Sequence, residues 1–384
     1  MLSIHWRIPL NKNKQTIIDL LKLAEITIDG PNDYDIQVKD DSFYQRILKD
    51  PSMQMGETYM DGLWDVKRLD LMIDRLLRAR LGWKIRKNNR LAFRILMAKL
   101  FNFQAPSRAF IVGEKHYDIG NDLYEAMLDK RMVYTCAYFK DTNDLDTAQE
   151  AKLDMVCRKL DLQPGQKILD IGCGWGSFMK FAAEKYGVEC VGLTVSKEQV
   201  ALGMEKCAGL PVKLLFEDYR DHKGLNDHIV SIGMFEHVGY KNYRKYMQIA
   251  HSCLKDDGLF LLHTIGLNYS VVKGGTWLSK YIFPGAMLPS LKQISEAVER
   301  LFIIEDVHNF GPDYVKTLMA WYGNFEKNWP QLKDKYGERF YRMWKYYLLS
   351  CAGNFQSRNA NVLQILLAKG QNPLGYAHIR LKFQ

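Results

Sequence analysis

A short apolar run that ends in three alternate glycines is the feature of this sequence that most constrains its fold. Residues 168–171 (Ile-Leu-Asp-Ile) are followed by Gly172, Gly174 and Gly176, and a helical pattern begins at Ser177. A buried strand that breaks into glycines before a helix brings bare backbone close to a ligand and aims free helix N–H groups at it. The segment therefore predicts a strand–turn–helix unit with a ligand site at the turn.

The spacing of these glycines narrows the class of ligand. Their order is G-x-G-x-G, whereas dinucleotide-binding turns use G-x-G-x-x-G. The spacing and the sequence that follows favour a nucleoside ligand without a pyrophosphate, namely S-adenosylmethionine. A tight turn that binds no ligand is the alternative, because a glycine pattern alone is a weak signal.

The composition indicates a sizeable core and an excess of positive charge. A length of 384 residues suits two domains, or one large domain with an extension. The hydrophobic fraction of 47% is ordinary for a chain that buries such a core. The net charge of +9 favours an anionic partner, which is either nucleic acid or an anionic membrane surface.

Signals for export and for spanning a membrane are missing from the sequence. The N-terminus lacks the continuous apolar core of a signal peptide, and no apolar run approaches the roughly 18 residues that cross a bilayer. Seven cysteines are scattered along the chain, without a C-x-x-C pair or zinc-ligand spacing. These features predict reduced cysteines, a cytoplasmic protein and no metal site.

The domain organisation follows from a change in pattern. Residues 1–103 are predicted to form a smaller, mainly helical N-terminal domain, residues 104–115 a linker, and residues 116–384 the larger α/β domain. Within residues 71–103, nine basic side chains alternate with apolar ones against a single acid, Asp74. Such a segment suits a helix that lies on an anionic membrane, and a solvated basic face over a helical core is an equal alternative. The segment contains no recognisable nucleic-acid module.

From Lys167 onward, strand patterns and helix patterns alternate. Repeated βα units predict a doubly wound, mostly parallel sheet with a ligand at the carboxyl ends of its strands. An aromatic helical block at 318–355 separates the last two strands; it is expected to be core, and the wall of an apolar tunnel is the alternative. The predicted helices are 145–160, 197–207 and 243–254, and the predicted strands are 167–171, 189–195, 212–216, 228–234, 259–264, 302–306 and 362–368.

Polar residues follow the second and third predicted strands. Thr194 stands where nucleoside-binding folds usually have an acid, and Gln199 is close to it in sequence. A hydroxyl and an amide can form the same hydrogen bonds to a ribose as a carboxylate can. After the third strand, Asp218 is placed to bind an adenine amino group and Tyr219 to pack on the base.

A carboxylate and a histidine follow the fourth and fifth predicted strands. Glu236 comes directly after one strand and His263 ends the next. Because the carboxyl ends of parallel strands meet at one edge, the pair is favoured as acid–base machinery. A buried histidine with a purely structural role is the alternative.

Several blocks of the sequence together resemble the cyclopropane-fatty-acyl-phospholipid synthases and the related mycolic-acid cyclopropane synthases. The resemblance covers essentially the whole chain, and blocks 56–62 and 318–322 are similar to the bacterial phospholipid enzymes in particular. The blocks that carry it are 134–138 (YTCAY), 169–176 (LDIGCGWG), 191–196 (VGLTVS), 233–239 (GMFEHVG), 262–266 (LHTIG) and 281–285 (YIFPG).

The resemblance implies a fold and an activity. The fold would be the seven-stranded, Rossmann-like sheet of class I S-adenosylmethionine-dependent methyltransferases. The enzyme would transfer a methylene group from S-adenosylmethionine to the cis double bond of unsaturated acyl chains in membrane phospholipids. The reaction would pass through a carbocation that bound bicarbonate deprotonates. The resemblance also implies a homodimer, associated peripherally with the inner face of the cell membrane and without nucleic acid as a partner.

The resemblance implies roles for individual residues as well. Thr135 stands where the family often has serine, so the hydroxyl is kept. Cys351 is a further, weaker catalytic candidate, since the chemistry needs no protein thiolate. The residues implied to surround S-adenosylmethionine are Tyr134, Thr135, Gly172, Cys173, Gly174, Gly176, Thr194, Gln199, Asp218 and Tyr219. Those implied to hold bicarbonate are Cys136, Glu236, His263, Tyr314 and the backbone of Ile265.

Two other functions compete with this one. The first is a different S-adenosylmethionine-dependent methyltransferase, which would act on a lipid, a small molecule, a nucleic acid or a protein. The second is a non-catalytic lipid- or nucleic-acid-binding protein whose cofactor fold has lost activity. The motifs alone also do not distinguish a cyclopropane product from a methyl-branched or hydroxylated one.

Overall fold

The computed structural model describes residues 10–81, 120–272 and 274–370. The chain divides into two compact units. The first unit contains the residues up to Ala126, Gly275–Pro284 and Trp321–Asn359, and the second contains Met127–Gly274, Gly285–Ala320 and the residues from Ala360. The predicted linker at 104–115 lies outside the described residues, so the domain boundaries around it stay a prediction.

The elements are numbered in chain order over the described residues. The β-strands are β1 (Gln37–Val38), β2 (Trp64–Asp65), β3 (Lys167–Ile171), β4 (Glu189–Thr194), β5 (Val212–Phe216), β6 (Asn226–Ile232), β7 (Leu254–Leu267), β8 (Ile303–Asn309) and β9 (Ala360–Ala368). The α-helices are α1 (Leu10–Lys22), α2 (Ser42–Lys49), α3 (Pro51–Met60), α4 (Leu69–Arg78), α5 (Asn121–Met127), α6 (Leu145–Lys159), α7 (Ser177–Tyr186), α8 (Lys197–Lys206), α9 (Tyr243–Ser252), α10 (Thr276–Tyr281), α11 (Leu291–Val298), α12 (Pro312–Tyr336) and α13 (Glu338–Gln356).

The first unit is mainly helical and has an aromatic core. The predicted aromatic block forms most of α12 and all of α13, and Trp321, Phe325, Phe340 and Trp344 are fully buried. Phe340 and Trp344 stack with ring centroids 5.6 Å apart. Burial of such large rings is the main source of stability for a small helical unit.

A close contact inside the first unit predicts a stability effect. A Cβ added to Gly56 of α3 would overlap the indole ring of the buried Trp277. We expect Gly56→Ala to lower the free energy of unfolding by about 1–3 kcal/mol, because overpacking forces the ring or the helix to move. Gly323→Ala is the matched control: it lies in α12 with open space around the added methyl group. That change should stabilise the protein by about 0.5–1 kcal/mol. Urea denaturation of both variants tests the contrast, and equal effects would contradict it.

The described part of the basic segment 71–103 is not one continuous helix. Helix α4 ends at Arg78, because Arg80 adopts a left-handed conformation with φ +48°. Arg75 pairs with Glu25 at 2.8 Å, and Arg78 pairs with Asp74 at 2.7 Å. The first arginines of the segment are therefore neutralised by acids of the same unit. In the three described ranges, no helix is long and apolar enough to cross a membrane.

The second unit is built on a seven-stranded sheet with the strand order β5-β4-β3-β6-β7-β9-β8. The first five strands of this order are parallel, and β9 runs antiparallel to both β7 and β8. Alternate residues of β3 face opposite sides, so that Ile168 packs in the layer of α6 and α7 while Leu169 packs in the layer of α9 and α11. The predicted doubly wound sheet is confirmed.

Five of the seven predicted strands, which are β4, β6, β7, β8 and β9, differ from the sequence prediction at one or both ends. Strand β6 ends at Ile232 and not at residue 234, because Gly233 adopts φ +74° and its N–H donates to the carbonyl of His263 at 2.9 Å. Strand β7 begins at Leu254 and not at residue 259, since its early residues pair with β6 across an irregular register between Asn226 and His228. The turn at Gly233 positions the side chains that follow β6.

Candidate active site

The glycine turn after β3 requires glycine for two separate reasons. Gly172 has φ +87°, which side chains with a Cβ rarely adopt, and an added Cβ would lie 2.5 Å from the Cβ of Met234. The N–H groups of Gly172 and Cys173 both donate to the carbonyl of Leu193 at 3.0 Å, which ties the turn to the end of β4.

The turn leads into α7 and leaves space for a ligand. A Cβ on Gly174 would meet nothing within 4 Å. Gly176 precedes α7, and among the described residues no side chain caps the amides of its first turn. These amides carry the partial positive charge of a helix N-terminus. The predicted cofactor residues Gly172, Cys173, Gly174 and Gly176 thus form an open turn at the carboxyl end of β3, in which the N–H groups of Gly172, Cys173 and Gly176 are used within the protein.

Thr194 and Gln199 form a hydrogen-bonded pair at the end of β4. The Thr194 hydroxyl donates to Gln199 Oε1 at 2.6 Å, and the N–H of Ser196 donates to Thr194 Oγ1 at 3.2 Å. Because the hydroxyl proton is used within the pair, the Gln199 amide N–H₂ is the group that remains to bind a ligand acceptor. This pair occupies the position of the acid that nucleoside-binding folds usually have.

Asp218 and Tyr219 follow β5, as predicted, but Asp218 already has a partner. Arg220 Nε donates to Asp218 Oδ1 at 2.8 Å, and this hydrogen bond holds the pKa of the carboxyl below its usual value. An adenine amino group would therefore share Asp218 with Arg220. The Tyr219 ring contacts Tyr246 edge-on, with centroids 5.1 Å apart, and is half-buried.

Glu236 lies in a short 3₁₀ turn, Phe235–His237, directly after β6. Only 5% of the residue is exposed, and Oε1 accepts the backbone N–H of Ile265 at 2.6 Å. Oε2 is buried and has no partner among the described residues. Burial raises the pKa of the carboxyl to about 7, against the opposing effect of the Ile265 N–H. The second oxygen is thus a buried acceptor for a ligand donor.

Ile265 acts on Glu236 in this structure. Its N–H is taken by the carboxylate, so the backbone of Ile265 orients Glu236 and does not offer a free amide to an anion. The sequence prediction placed this backbone directly on bicarbonate, and the observed hydrogen bond was not visible in any local pattern.

His263 lies on β7 opposite Gln364 of β9 and is 2% exposed. Its Nδ1 lies 3.3 Å from Gln364 Nε2. Burial lowers the pKa of the ring well below its usual value, and the positive charges of Lys152 and Lys159 lower it further. The ring is therefore neutral. With the Gln364 amide donating to Nδ1, the ring proton lies on Nε2, which makes Nε2 a donor.

Glu236 and His263 lie at the same edge of the sheet. His263 pairs with Ile232 in the register of β6 and β7, and Glu236 is bonded to β7 two residues beyond His263. The two residues therefore lie on β7 and in the turn that follows the adjacent strand β6, as the order of the strands predicts.

Cys136 joins this region through the segment 134–138. The thiol is fully buried, and burial raises its pKa well above the usual value, so it stays protonated. The next residue, Ala137, donates its N–H to Thr317 Oγ1 at 3.0 Å. Phe310 packs edge-on against both His263 and Tyr138, at 5.5 and 5.8 Å between ring centroids.

Tyr134 and Thr135 come directly before Cys136 in the chain, and Thr135 lies in space against the end of β6. A Cβ added to Gly233 would lie 2.7 Å from the methyl carbon of Thr135, so this segment lies directly against the strand end. Tyr134 is half-buried. Thr135 thus lies against the turn that precedes Glu236.

Tyr314 and Cys351 lie on the two long helices. Tyr314 is buried in the first turn of α12, three residues before Thr317, and so belongs to the element that holds the 134–138 segment. Cys351 lies on α13 in the first unit, where burial raises the pKa of its thiol to about 12. A protonated thiol cannot act as a nucleophile or base, so this residue remains the weaker candidate.

Comparison with known proteins identifies the family. The sequence profile described as mycolic acid cyclopropane synthetase matches residues 104–365, more than half of the chain. The chain belongs to this family. The cyclopropane-fatty-acyl-phospholipid synthase of Escherichia coli strain K12 is 48% identical over 352 residues, which cover 92% of each chain.

Two crystal structures of mycolic acid cyclopropane synthetase relatives are similar to this fold. MmaA2, a cyclopropane synthase from Mycobacterium tuberculosis, gives a TM-score of 0.62 at 32% identity, covering 66% of this chain and 96% of that chain. CmaA1, a mycolic acid cyclopropane synthase in complex with SAH and CTAB, gives a TM-score of 0.61 at 35% identity, covering 66% of this chain and 95% of that chain. The predicted family, the class I methyltransferase fold and the assignment as an S-adenosylmethionine-dependent methyltransferase are confirmed.

Three buried polar residues of this cyclopropane synthetase fold were missed at the sequence level. Asp170 interrupts the apolar strand β3 and is 2% exposed, while Gln149 and Lys152 of α6 are not exposed at all. The signal was present in the sequence, because polar residues stood at positions that the strand and helix periods assign to the core. Burial raises the pKa of Asp170 to about 7, and the charge of Lys152 opposes that rise.

Proposed function

We propose that this enzyme transfers a methylene group from S-adenosylmethionine to the cis double bond of an unsaturated acyl chain in a membrane phospholipid, forming a cyclopropane ring. The observation that carries the proposal is the burial of Glu236, held by Ile265, and of neutral His263 at the carboxyl ends of adjacent strands of a methyltransferase sheet. The 48% identity to a bacterial cyclopropane-fatty-acyl-phospholipid synthase supports the same conclusion.

The residues present fit the two small groups that the reaction needs. S-adenosylmethionine supplies the electrophilic methyl carbon, and bicarbonate supplies the base. Glu236 Oε2, a buried acceptor without a described partner, matches the O–H of bicarbonate, and His263 Nε2 matches one of its oxygens. The open amides at Gly174 and at the start of α7 suit the aminoacyl end of S-adenosylmethionine.

The first task of the chain is to keep the site dry. An isolated alkene is a weak nucleophile, and its methylation leaves positive charge on carbon, which water would convert to an alcohol. Cys136, Glu236 and His263 are each at most 5% exposed, so the groups nearest the chemistry exclude solvent. Formation of the carbocation and its deprotonation by bicarbonate are part of the proposed function.

The second task is to hold a proton acceptor beside the new methyl group, which must lose one proton before the ring closes. Glu236 and His263 do this by fixing an anion between an acceptor oxygen and a donor nitrogen. The Ile265 N–H keeps the Glu236 carboxylate oriented, and Gln364 keeps the imidazole proton on Nε2. Glu236 and His263 therefore act by orienting the anion and not by forming covalent bonds.

The proposal is tested by incubating the protein with S-adenosylmethionine and vesicles of a cis-unsaturated phospholipid. We expect each modified acyl chain to gain the mass of one CH₂ group and to lose its vinyl proton signals in NMR. A gain of mass with the vinyl signals retained would indicate a methyl-branching methyltransferase. No gain of mass would indicate a non-catalytic lipid-binding protein. Either result would overturn the proposal.

The pH dependence of turnover follows from the raised pKa of Glu236. The carboxylate form is the acceptor, and burial raises the pKa of the group to about 7. Turnover should therefore rise with pH through about 7, since His263 stays neutral in this range and adds no titration. Initial rates at a fixed bicarbonate concentration measure this profile. A rate that rises toward acid pH would contradict the assignment.

We propose that the protein acts as a homodimer, bound peripherally to the anionic inner face of the cell membrane. Because Arg75 and Arg78 are paired with acids, docking by the segment 71–103 depends on its later basic residues. Those from Lys84 onward lie outside the described residues, so this part of the proposal rests on their sequence. Sedimentation equilibrium tests the dimer.

Charge reversal tests the docking segment. The triple variant Arg86→Glu, Arg90→Glu and Arg94→Glu should weaken binding to anionic vesicles about 100-fold or more in low salt, since each basic residue contributes about 1 kcal/mol near such a surface. The control variant reverses the exposed Lys185, Lys213 and Lys223 of the second unit. Flotation of vesicles with bound protein measures both. Equal binding by the test variant and the wild type would exclude docking by this segment.

A further inference from the structure

A buried face of α6 holds Thr135 through two polar side chains. Gln149 Nε2 donates to the Thr135 carbonyl at 2.9 Å, and Lys152 Nζ donates to Thr135 Oγ1 at 2.8 Å. Gln149 and Lys152 have no exposed surface. Burying an ammonium is costly unless it has partners, so its presence in this position needs an explanation.

The hydrogen bond from Lys152 decides what Thr135 can do. An ammonium only donates, so Thr135 Oγ1 must accept from it. The hydroxyl proton of Thr135 is then left for a different acceptor. Lys152 thus commits Thr135 to donate, and the matching ligand group is an acceptor such as a carboxylate oxygen.

The charge of Lys152 is incompletely satisfied by the protein. Thr135 is the only hydrogen-bond partner of the ammonium among the described residues, and an ammonium has three N–H donors. Asp170, whose carboxyl is 2% exposed, has an oxygen without a partner in the described structure. Burial lowers the pKa of Lys152 to about 8, and the charges of Asp129 and Asp170 oppose this shift.

The same charge acts on the proposed anion-holding residues. It contributes to the lowered pKa of His263 after burial, and it opposes the burial-raised pKa of Cys136. Because Lys152 is hydrogen-bonded to Thr135, the residue directly before Cys136, the ammonium lies beside the segment proposed to hold the anion. A buried cation with unused donors, beside a hydroxyl committed to donate, has the chemistry of a carboxylate site.

We propose that Lys152 is a positioning residue for a carboxylate-type anion, which it attracts by its charge and for which it holds Thr135 as a donor. The anion is either the methionyl carboxylate of S-adenosylmethionine or bicarbonate, because both present the same oxygen chemistry. This inference rests on the proposed function and adds to it the cation that the site requires.

Calorimetric binding of two nucleosides separates the sources of the anion. S-adenosylhomocysteine carries the carboxylate, and 5′-methylthioadenosine lacks the whole aminoacyl group. If the cofactor carboxylate is the partner, Lys152→Met weakens binding of S-adenosylhomocysteine by at least about tenfold and leaves that of 5′-methylthioadenosine unchanged. If bicarbonate is the partner, both affinities hold, and the bicarbonate concentration for half-maximal turnover rises by at least about tenfold.

A thermodynamic cycle with Thr135→Val tests whether Lys152 acts through the hydroxyl. Thr135→Val keeps the shape of the side chain and removes the hydroxyl, which is both the acceptor for Lys152 and the donor to the ligand, and it stays informative if Lys152→Met folds poorly. In whichever arm responds, the double variant should lose clearly less than the sum of the two single losses. Lys152→Arg, which keeps the charge, should restore part of the loss. Full additivity, or no loss in either arm, would overturn the inference.

The pH dependence of anion binding is a direct test, because a purely structural role for Lys152 would not affect it. The groups that face Lys152 are Asp129, Cys136, Asp170 and His263. Above pH about 7, His263 is neutral and Cys136 is protonated, and Asp170, whose pKa burial raises to about 7, ionises at lower pH than Lys152. Lys152 is therefore the group that changes charge near pH 8. In the arm that responds, affinity in the wild type should fall as pH rises through about 8, and Lys152→Met should abolish that fall. Retention of the fall in the variant would overturn the inference. Wild-type protein that binds no S-adenosylhomocysteine would instead refute the proposed function itself.

Discussion

Replacing Glu236 by glutamine lowers turnover by about 10²–10⁴-fold and changes the affinity for S-adenosylhomocysteine by less than about threefold. The amide keeps the shape of the side chain, and its carbonyl oxygen can still accept the Ile265 N–H. The group at the position of Oε2 becomes a donor, however, and no longer accepts the O–H of an anion. Single-turnover kinetics and calorimetry measure the two quantities separately.

The exposed Glu205 of α8 provides the matched control, because Glu205→Gln removes the same charge from the surface of the same unit. That variant should keep wild-type turnover. If Glu236→Gln lost cofactor affinity as strongly as turnover, Glu236 would be a cofactor-binding or structural residue. His263→Ala is expected to behave as Glu236→Gln does, since it removes the opposing donor.

Replacing Gly172 by alanine lowers the free energy of unfolding by about 2–4 kcal/mol and weakens binding of S-adenosylhomocysteine. The alanine must adopt φ +87° and must also place its Cβ 2.5 Å from that of Met234. Either the turn or the strand end after β6 has to move, and the turn is the predicted cofactor site. Urea denaturation and calorimetry measure the two effects.

Gly209→Ala separates backbone strain from the steric clash. Gly209 has φ +80°, close to that of Gly172, but open space surrounds its added Cβ. We expect this control to cost about 1 kcal/mol and to leave cofactor binding unchanged. A loss in Gly172→Ala no larger than in the control would mean that the close approach to Met234 has no energetic importance.

The sheet could be predicted from the sequence because its signals are local. Each parallel strand appears as a short apolar run, and the glycines after β3 mark the turn where the backbone must be bare. The order of strands then places Glu236 and His263 at one edge without any knowledge of side-chain contacts. The fold and the position of these two residues on adjacent strand ends follow from that logic.

The contacts that tune the site could not be predicted, because they join residues distant in sequence. The hydrogen bond from Ile265 to Glu236 spans 29 positions, and the contact of Gln364 with His263 spans 101. Lys152 was overlooked for a different reason: a basic residue on a helix is assumed to face solvent, whereas this one faces the core. Residues 275–284 and 321–359 come late in the chain and yet belong to the first unit. This assignment likewise follows only from tertiary packing.

Deuterium retention tests the central claim, that a proton is removed from the transferred methyl group before a ring closes. S-adenosylmethionine with a fully deuterated methyl group is incubated with the enzyme and cis-unsaturated phospholipid vesicles, and the acyl chains are analysed by mass spectrometry. The account predicts that the product retains two of the three deuterium atoms and has no vinyl protons. Retention of all three, in a methyl-branched or hydroxylated chain, would contradict it.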